Sequence, residues 1–341
     1  MPSSAIKTFV KQFVAFCAVS SGVVAINRRK GAKGRLTILM YHRVTPERDV
    51  MGLSVSPEFF DRQLKFIASR FNVISLEEAV QMLPDGLPPG EHAVITFDDG
   101  YRDNYDFAYP LLRKHQLSAT IFVTVDALET GNFGWHSFDQ AILHSSQPFL
   151  DLTEYNLGRI GIEDTEQREH AIKYLHGELK RCSHDKRLKV VEHVVSKLSK
   201  APDHPERVML NWEDAREMQQ SGLVTIASHT LTHPILTRID REKARDEIAR
   251  SKSIIEQRLG APVILFAYPN GTVVDYDDEI IGMLKAAGYS AACTTTAGSA
   301  FEAADLYRLP RVDVTFGMCE GIGGAFSSAM FEFGLCFHGK R

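Results

Sequence analysis

The sequence has few cysteines and no pattern that would use them together. Five of its 341 residues are cysteine, an odd number, and they are widely spaced without a Cys-x-x-Cys pair. This argues against a disulfide framework and a zinc knuckle, and it favours a reducing compartment. The chain also lacks an excess of positive charge. Its formal net charge is -4, which gives no support to nucleic acid as a partner.

No hydrophobic run has the length of a typical membrane span. The apolar segment at residues 13–26 is short for that purpose, and it follows Lys7 and Lys11. Five basic residues then fall within residues 28–35, where positive charge opposes translocation of the downstream chain. We therefore predict that residues 1–35 form an N-terminal helix on the cytoplasmic side, in peripheral contact with the inner membrane. A signal peptide and an exported protein are the alternative. The sequence indicates no oligomeric state.

Short apolar runs alternate with helical patterns along most of the chain. The pattern predicts about seven strands separated by helices, which favours parallel pairing with the helices packed outside. The fold class predicted is α/β, a distorted (β/α) barrel over residues 36–315. Clear local signals include Ser56 followed by Pro57 at a helix start and Gly260 at the end of a long amphipathic helix.

Two parts of the chain depart from this alternation. Residues 128–208 show no strand-helix rhythm, and they predict an insertion of one or two helices with apolar side chains turned inward. The inward positions are Ile172, Leu175, Leu179, Val190 and Val194. The extension at residues 316–341 is apolar and nearly uncharged up to residue 337. A packed extension, a lid and a membrane contact all remain open for it.

Two adjacent carboxylates, Asp98 and Asp99, follow a predicted apolar strand and precede Gly100. Neighbours within a strand point to opposite faces, but a sharp turn at the strand end lets both reach one site. Far downstream, His229 and His233 lie four residues apart, in a segment whose proline and hydroxyl residues indicate a loop. One carboxylate and two imidazoles form a metal ligand set that leaves coordination positions open, while the second carboxylate stays free as a base.

Four sequence segments together resemble the polysaccharide deacetylase family, carbohydrate esterase family four. TFDDG at 96–100 and SHTLTHP at 228–234 resemble its first two motifs, and FAYPNG at 266–271 resembles its third. LMYHRV at 39–44 resembles the start of a branch with circularly permuted strand order, in which the strand of the terminal Leu-x-x-His motif comes first. The combination and order of the first two motifs make the resemblance specific.

The resemblance spans roughly residues 36–126 and 208–314, and it implies roles for the matched residues. Asp98 is the general base that takes a proton from the attacking water, although a turn or helix-cap carboxylate is the alternative. The implied metal ligands are Asp99, His229 and His233. Nitrogen and oxygen ligands without thiolate suit zinc above all, and also cobalt, nickel or manganese.

The remaining implied roles concern the leaving group and the oxyanion. His42 matches the general acid that protonates the leaving amine, with a structural histidine at a strand end as the alternative. Asn270, after Pro269, stands where the family usually has tyrosine, and its backbone N–H is the implied oxyanion donor. Tyr101 and Trp135 are candidates to line the substrate cleft, although simple packing explains them equally well.

One position departs from the family pattern. Ala267 stands where the family usually has the arginine that orients the base. Arg311 is the candidate replacement and Arg308 the second choice, with a surface salt bridge as the alternative for each.

The predicted function is metal-dependent removal of the N-acetyl group from an N-acetylated sugar of the N-acetylglucosamine type. The substrate is a polysaccharide, an oligosaccharide or a glycan precursor. The alternatives are hydrolysis of a small non-sugar amide and a catalytically silent carbohydrate-binding protein. The complete set of predicted site residues argues against the silent protein, whereas the missing arginine keeps it open.

Overall fold

The computed structural model describes residues 4–21, 34–198, 207–301 and 304–337. Its strands are, in chain order, Arg35–Tyr41 (β1), Arg43–Val44 (β2), Ser54–Val55 (β3), Asn72–Val73 (β4), Glu91–Phe97 (β5), Ala119–Val123 (β6), Phe149–Leu152 (β7), Gly158–Gly161 (β8), Val224–Ser228 (β9), Leu265–Ala267 (β10), Ala291–Ala297 (β11) and Leu309–Asp313 (β12).

The helices alternate with these strands and lie mainly outside them. They are Ser4–Ser20 (α1), Pro57–Arg70 (α2), Leu76–Met82 (α3), Tyr109–His115 (α4), Val125–Thr130 (α5), Gly134–Leu143 (α6), Thr165–Arg181 (α7), His184–Leu198 (α8), Trp212–Gln220 (α9), Arg241–Leu259 (α10), Asp278–Ala286 (α11) and Ser328–Phe337 (α12).

Seven parallel strands close into a barrel, as the sequence predicts. Their order is β1-β12-β11-β10-β9-β6-β5, and β5 pairs again with β1. The β1–β5 pairing runs over all seven residues of each strand, from Arg35 opposite Glu91 to Tyr41 opposite Phe97. β4 and β6 share the other edge of β5. The first strand therefore lies between β5 and β12, while the circularly permuted relationship stays a prediction.

Local sequence explains where the barrel elements begin and end. β1 and β5 are continuous apolar runs because both of their faces are buried. The Ser56 side chain caps α2 by accepting a hydrogen bond from the Phe59 N–H, with Pro57 at the first helical position. α10 ends at Gly260, which has a left-handed φ of 69°. The helix start predicted at Ser56–Pro57 and the helix end predicted at Gly260 are therefore confirmed.

The insertion is richer than predicted. Between β6 and α9 the described residues contain α5, α6, α7 and α8 together with an antiparallel hairpin of β7 and β8, so the expectation of one or two helices is wrong. The hairpin escaped prediction because its strands have four residues each and only Leu150 and Leu152 are buried. All five apolar positions predicted to face inward are buried in a hydrophobic cluster that also contains these two leucines.

The two ends of the chain pack together beside the barrel. α1 lies against α12, and the Gln12 side chain accepts a hydrogen bond from the Ile322 N–H. Phe316 stacks on Phe59 of α2, with ring centroids 4.7 Å apart, so the C-terminal extension is packed onto the barrel. Within the described residues, no helix has both the length and the apolar character to cross a membrane. The predicted basic segment at residues 28–33 lies outside the described residues.

Candidate active site and metal centre

The turn after β5 directs both carboxylates into one cleft. The Asp98 N–H donates a hydrogen bond to the Tyr41 carbonyl of β1, and the Gly100 N–H donates one to the Asp98 carbonyl. Asp99 has a φ of 73°, a left-handed conformation that is uncommon for residues with a side chain, and Gly100 follows at 83°. Both carboxylates line a cleft of about 790 Å³ at the carboxyl ends of the barrel strands, where α/β barrels hold their active sites.

Arg311 holds Asp98 through two parallel hydrogen bonds. Its Nη1 and Nη2 atoms each lie 2.7 Å from a carboxylate oxygen of Asp98. Arg311 projects from β12 and is fully buried, and its Nε donates to the Thr294 carbonyl. Arg308 instead pairs with Asp305 and Asp278 at the surface. Of the two candidate arginines, only Arg311 is placed to orient the predicted base.

The two carboxylates have opposite pKa shifts. Burial alone would raise the pKa of Asp98, but the Arg311 guanidinium, assisted by His229, lowers it to about 2. Burial raises the pKa of Asp99, and His42 and His229 oppose that rise without cancelling it. Asp98 is therefore ionised at any working pH, while Asp99 lacks a cation of its own.

Asp99, His229 and His233 converge as the predicted metal ligand set. One ligand atom from each lies within 4.8 Å of the others. The Nε2 atoms of His229 and His233 are 3.6 and 3.4 Å from the Asp99 Oδ1 atom. The histidine pair sits on a loop, as predicted, and His233 has a left-handed φ of 60°.

The protonation of the two histidines suits a metal. The Nδ1 atom of His229 lies 2.8 Å from the Ala267 carbonyl, which can only accept, so Nδ1 carries a hydrogen and Nε2 is the ring atom directed at Asp99. Burial lowers the pKa of His233 well below its ordinary value, so this ring is neutral. Two imidazole lone pairs and one carboxylate facing a common point fit a divalent cation with open coordination positions.

His42 lies in the same cleft, directly after β1, and residues from the β5 turn hold its backbone. The Asn104 side chain donates to the His42 carbonyl at 2.9 Å. Asp103 pairs with the Arg43 Nε at 2.7 Å and accepts from the Val44 N–H at 3.1 Å. Neither Asp103 nor Asn104 was predicted as a site residue, although both follow the TFDDG turn within six residues of Asp98.

The third motif contributes Asn270 to the cleft but not Pro269. Asn270 has a left-handed φ of 62°, and its side chain donates to Asp275 at 2.5 Å. Its backbone N–H has no partner among the residues that the structure describes, and Asn270 lines the cleft. Pro269 is buried outside the cleft, where its carbonyl accepts from the Gly271 N–H. A substrate-contacting role for Pro269 stays a prediction.

Both predicted aromatic residues line the cleft, and both are also packed. Tyr101 is buried, with its ring edge-on to Phe133 and the Arg43 guanidinium 4.7 Å from its ring centre. Trp135 of α6 is half-buried and lies 4.3 Å from the His176 ring of α7. The insertion therefore contributes part of the cleft, which the sequence did not indicate beyond Trp135.

A barrel with an Asp-His-His cluster at the carboxyl ends of its strands is the architecture of a class of hydrolases. Comparison with known families identifies that class. The polysaccharide deacetylase family model matches residues 85–292, which is more than half of the chain. The chain therefore belongs to the polysaccharide deacetylase family.

Individual relatives agree with this assignment at low identity. YxkH of Bacillus subtilis, a polysaccharide deacetylase by name, is 26% identical over 307 residues, which cover 89% of this chain and 80% of YxkH. The poly-β-1,6-N-acetyl-D-glucosamine N-deacetylase of Staphylococcus aureus is 26% identical over 120 residues, which cover 35% of this chain and 41% of that protein.

A solved structure gives the same fold. The Streptococcus pyogenes deacetylase PplD, crystallised with acetate, matches with a TM-score of 0.58 at 22% identity, covering 84% of this chain and 95% of PplD. At that identity the match supports the (β/α) barrel alone.

Proposed function

We propose that this chain is a metal-dependent N-deacetylase that hydrolyses the acetamide of an N-acetylated sugar. The observation that carries the proposal is the three-ligand cluster of Asp99, His229 and His233 beside an ionised carboxylate that is not used as a ligand. The likeness to a Staphylococcus aureus relative named for poly-β-1,6-N-acetyl-D-glucosamine supports an N-acetylglucosamine substrate, in a polysaccharide, an oligosaccharide or a glycan precursor.

Three residues of the cleft have separate roles in the proposed reaction. Asp98, held in place by Arg311, takes a proton from the water that attacks the acetamide carbonyl. The Asn270 N–H donates to the carbonyl oxygen as negative charge develops there. His42 gives a proton to the sugar nitrogen as the C–N bond breaks, so that acetate and the free amine leave.

Asp99, His229 and His233 would hold the metal, for which zinc is the first choice and cobalt, nickel or manganese are alternatives. A divalent ion, when bound there, acidifies water and polarises the acetamide carbonyl. The left-handed backbone at Asp99 and His233 fixes the directions of these ligands before any ion arrives.

The first test separates metal binding from turnover. We expect Asp98→Asn to retain the metal and to lose roughly 10² to 10⁴ of the rate, because general-base catalysis contributes about that much. His233→Ala should lose both metal and activity. His144→Ala, at an exposed histidine on the insertion, is the control and should change neither.

Metal content by mass spectrometry and acetate release from N-acetylglucosamine oligomers give the two readouts. Tight metal binding without acetate from any glycan would instead favour a small-amide hydrolase or a silent carbohydrate-binding protein. An active Asp98→Asn variant would show that Asp98 is not the base.

We also propose that the protein acts at the cytoplasmic side of the membrane, with α1 in contact with the lipid surface. Four large apolar side chains of α1 are about half exposed or more, namely Val10, Phe13, Val14 and Phe16. The basic residues at 28–35 come soon after α1 in the sequence and would complement anionic headgroups. A glycan precursor made at that surface fits this location.

A further inference from the structure

The insertion brings cationic side chains into the catalytic cleft. Lys180, next to the end of α7, and Arg187, in the first turns of α8, both line the cleft together with Asp99 and His233. Neither belongs to the predicted catalytic set, and both come from a segment inserted between two barrel strands.

Lys180 faces the site without a direct partner. It forms no ion pair or hydrogen bond with any residue that the structure describes, although Asp275 and Asp99 are close enough to attract its charge. Asp275 lies beyond ion-pair distance of Lys180, and its Oδ2 atom accepts from the Asn270 side chain and from the Thr272 N–H. The ammonium group of Lys180 therefore stays available to a ligand.

Arg187 is buried, with 6% of its surface exposed, and carboxylates are absent from its described contacts. Its Nη2 atom donates to the His233 carbonyl at 3.0 Å and lies 2.8 Å from the His184 Nδ1 atom. The guanidinium carbon is 5.6 Å from the ring centre of Trp135. The hydrogen-bond partners of this guanidinium are neutral, and the Glu247 carboxylate acts on it only from beyond ion-pair distance, so the buried charge still attracts an anion.

Two other arginines of the cleft are paired with carboxylates, whereas Arg207 donates to the backbone carbonyls of Leu128 and Leu210. Arg43 pairs with Asp103 at 2.7 Å, and Arg102 pairs with Asp214 at 2.9 Å. The positive charge left uncompensated on the insertion side thus lies near Trp135, whose half-buried ring also lines the cleft.

We propose that Lys180 and Arg187 form an anion subsite, so that the preferred substrate is an acidic N-acetylated saccharide. The group recognised is a carboxylate or a phosphate on or next to the N-acetylated sugar. Arg187 suits it through its planar pair of donors, and Lys180 through a mobile point charge. This inference rests on the proposed deacetylase function for its catalytic readout, whereas the subsite itself can be measured by binding.

The experiment compares Lys180→Met with Lys173→Met. Both lysines lie on α7 and are exposed, but Lys180 lines the cleft whereas Lys173 pairs with Glu169 outside it. The probes are an N-acetylglucosamine tetramer, a tetrasaccharide of alternating N-acetylglucosamine and glucuronate, and N-acetylglucosamine 1-phosphate. They separate a neutral glycan from the two sources of negative charge.

For the wild type and for Lys173→Met we expect one of the acidic probes to bind at least about tenfold more tightly than the neutral tetramer, since hydrogen bonds to charged groups contribute on that scale. Lys180→Met should reduce that preference, leave neutral binding and metal content unchanged, and weaken the salt dependence of acidic binding, because Arg187 remains. Calorimetry measures binding, and acetate release gives kcat/KM for each probe.

Two results would overturn the subsite. The first is equal binding of acidic and neutral probes by the wild type. The second is an equal loss for both kinds of probe in Lys180→Met, which would mean that Lys180 only balances Asp99 and Asp275. If no probe releases acetate but the acidic preference in binding persists and depends on Lys180, the deacetylase proposal fails while the subsite stands.

Discussion

Asp98 and Asp99 are neighbours in the chain but meet different electrostatic surroundings. The left-handed turn at Asp99 sends one carboxylate toward Arg311 of β12 and the other toward the two histidines. A carboxylate that is already paired with a guanidinium keeps its charge, whereas an unpaired buried carboxylate is suited to gain a cation. The division of labour between base and ligand thus follows from what each side chain contacts.

Replacing Arg311 with glutamine should abolish this division. Without the guanidinium, burial would raise the pKa of Asp98, so the acid limb of the activity profile should move to higher pH, with partial recovery of rate in alkali. We expect kcat/KM at neutral pH to fall at least about 10²-fold, and stability to fall by roughly 3–5 kcal/mol because a buried pair is broken. Acetate release across pH and urea unfolding measure the two effects.

The low pKa of Asp98 also determines the direction in which the stability of the wild type changes with pH. In the wild type the low pKa of Asp98 contributes stability above the ordinary carboxyl pKa of about 4, and that contribution is lost as the pH falls toward about 2. Arg308→Gln removes a surface arginine from the same short segment and should cost less than about 1 kcal/mol. Identical pH profiles for Arg311→Gln and the wild type would show that Arg311 does not control the charge of Asp98.

At the scale of elements, local patterns predicted the barrel but not the insertion. α2 begins at the predicted Ser56–Pro57 signal and α10 ends at Gly260, because cap residues act locally. Sequence separation limits what can be predicted about the site. Motif residues that follow strand ends were found, whereas Lys180 and Arg187 were not, because only the packing of the insertion brings them to Asp99.

The turn after β5 also clamps the end of β1, and Asp103→Asn tests that contact. Asparagine still accepts from the Val44 N–H but no longer pairs with Arg43. We expect kcat to fall about tenfold with unchanged metal content, because the backbone that positions His42 loosens. The measurement is acetate release together with metal analysis, and an unchanged kcat would contradict the clamp.

The Asp103→Asn variant should also change how the stability of the protein depends on pH. Burial raises the pKa of Asp103 to about 6, and Arg43 limits the rise. A raised carboxyl pKa means that the folded protein holds the proton more tightly, so wild-type stability should decline as the pH rises from about 4 to about 6 and then level off. Asp103→Asn should lack that component when unfolding curves are compared across this range.

At the scale of the whole molecule, the catalytic barrel carries two additions, the insertion on the cleft and the packed chain ends beside it. Ala15 of α1 is buried, whereas Phe13 and Phe16 are about 60% exposed. One face of α1 is therefore fixed to the C-terminal extension and the other presents apolar surface.

The proposed membrane contact predicts a specific loss of lipid binding. Phe13→Ser with Phe16→Ser should weaken co-sedimentation with phosphatidylglycerol vesicles at least about tenfold, since burying one such side chain contributes roughly 1.5–3 kcal/mol. Val273→Ser with Val274→Ser changes exposed apolar residues elsewhere and should have no effect. A wild-type dimer that the Phe variants dissociate would mean that a second copy covers this face instead.

The closure of the barrel has a consequence for biosynthesis. β12 is the last barrel strand in chain order, and it supplies both the second neighbour of β1 and the arginine that pairs with Asp98. A nascent chain that has emerged only as far as β11 contains the proposed metal ligands and the Asp98 carboxylate, but not the Arg311 guanidinium that keeps this carboxylate charged and oriented. Translation thus adds this counter-charge after the other proposed site residues, and we expect hydrolysis to begin only once the ring of strands is complete.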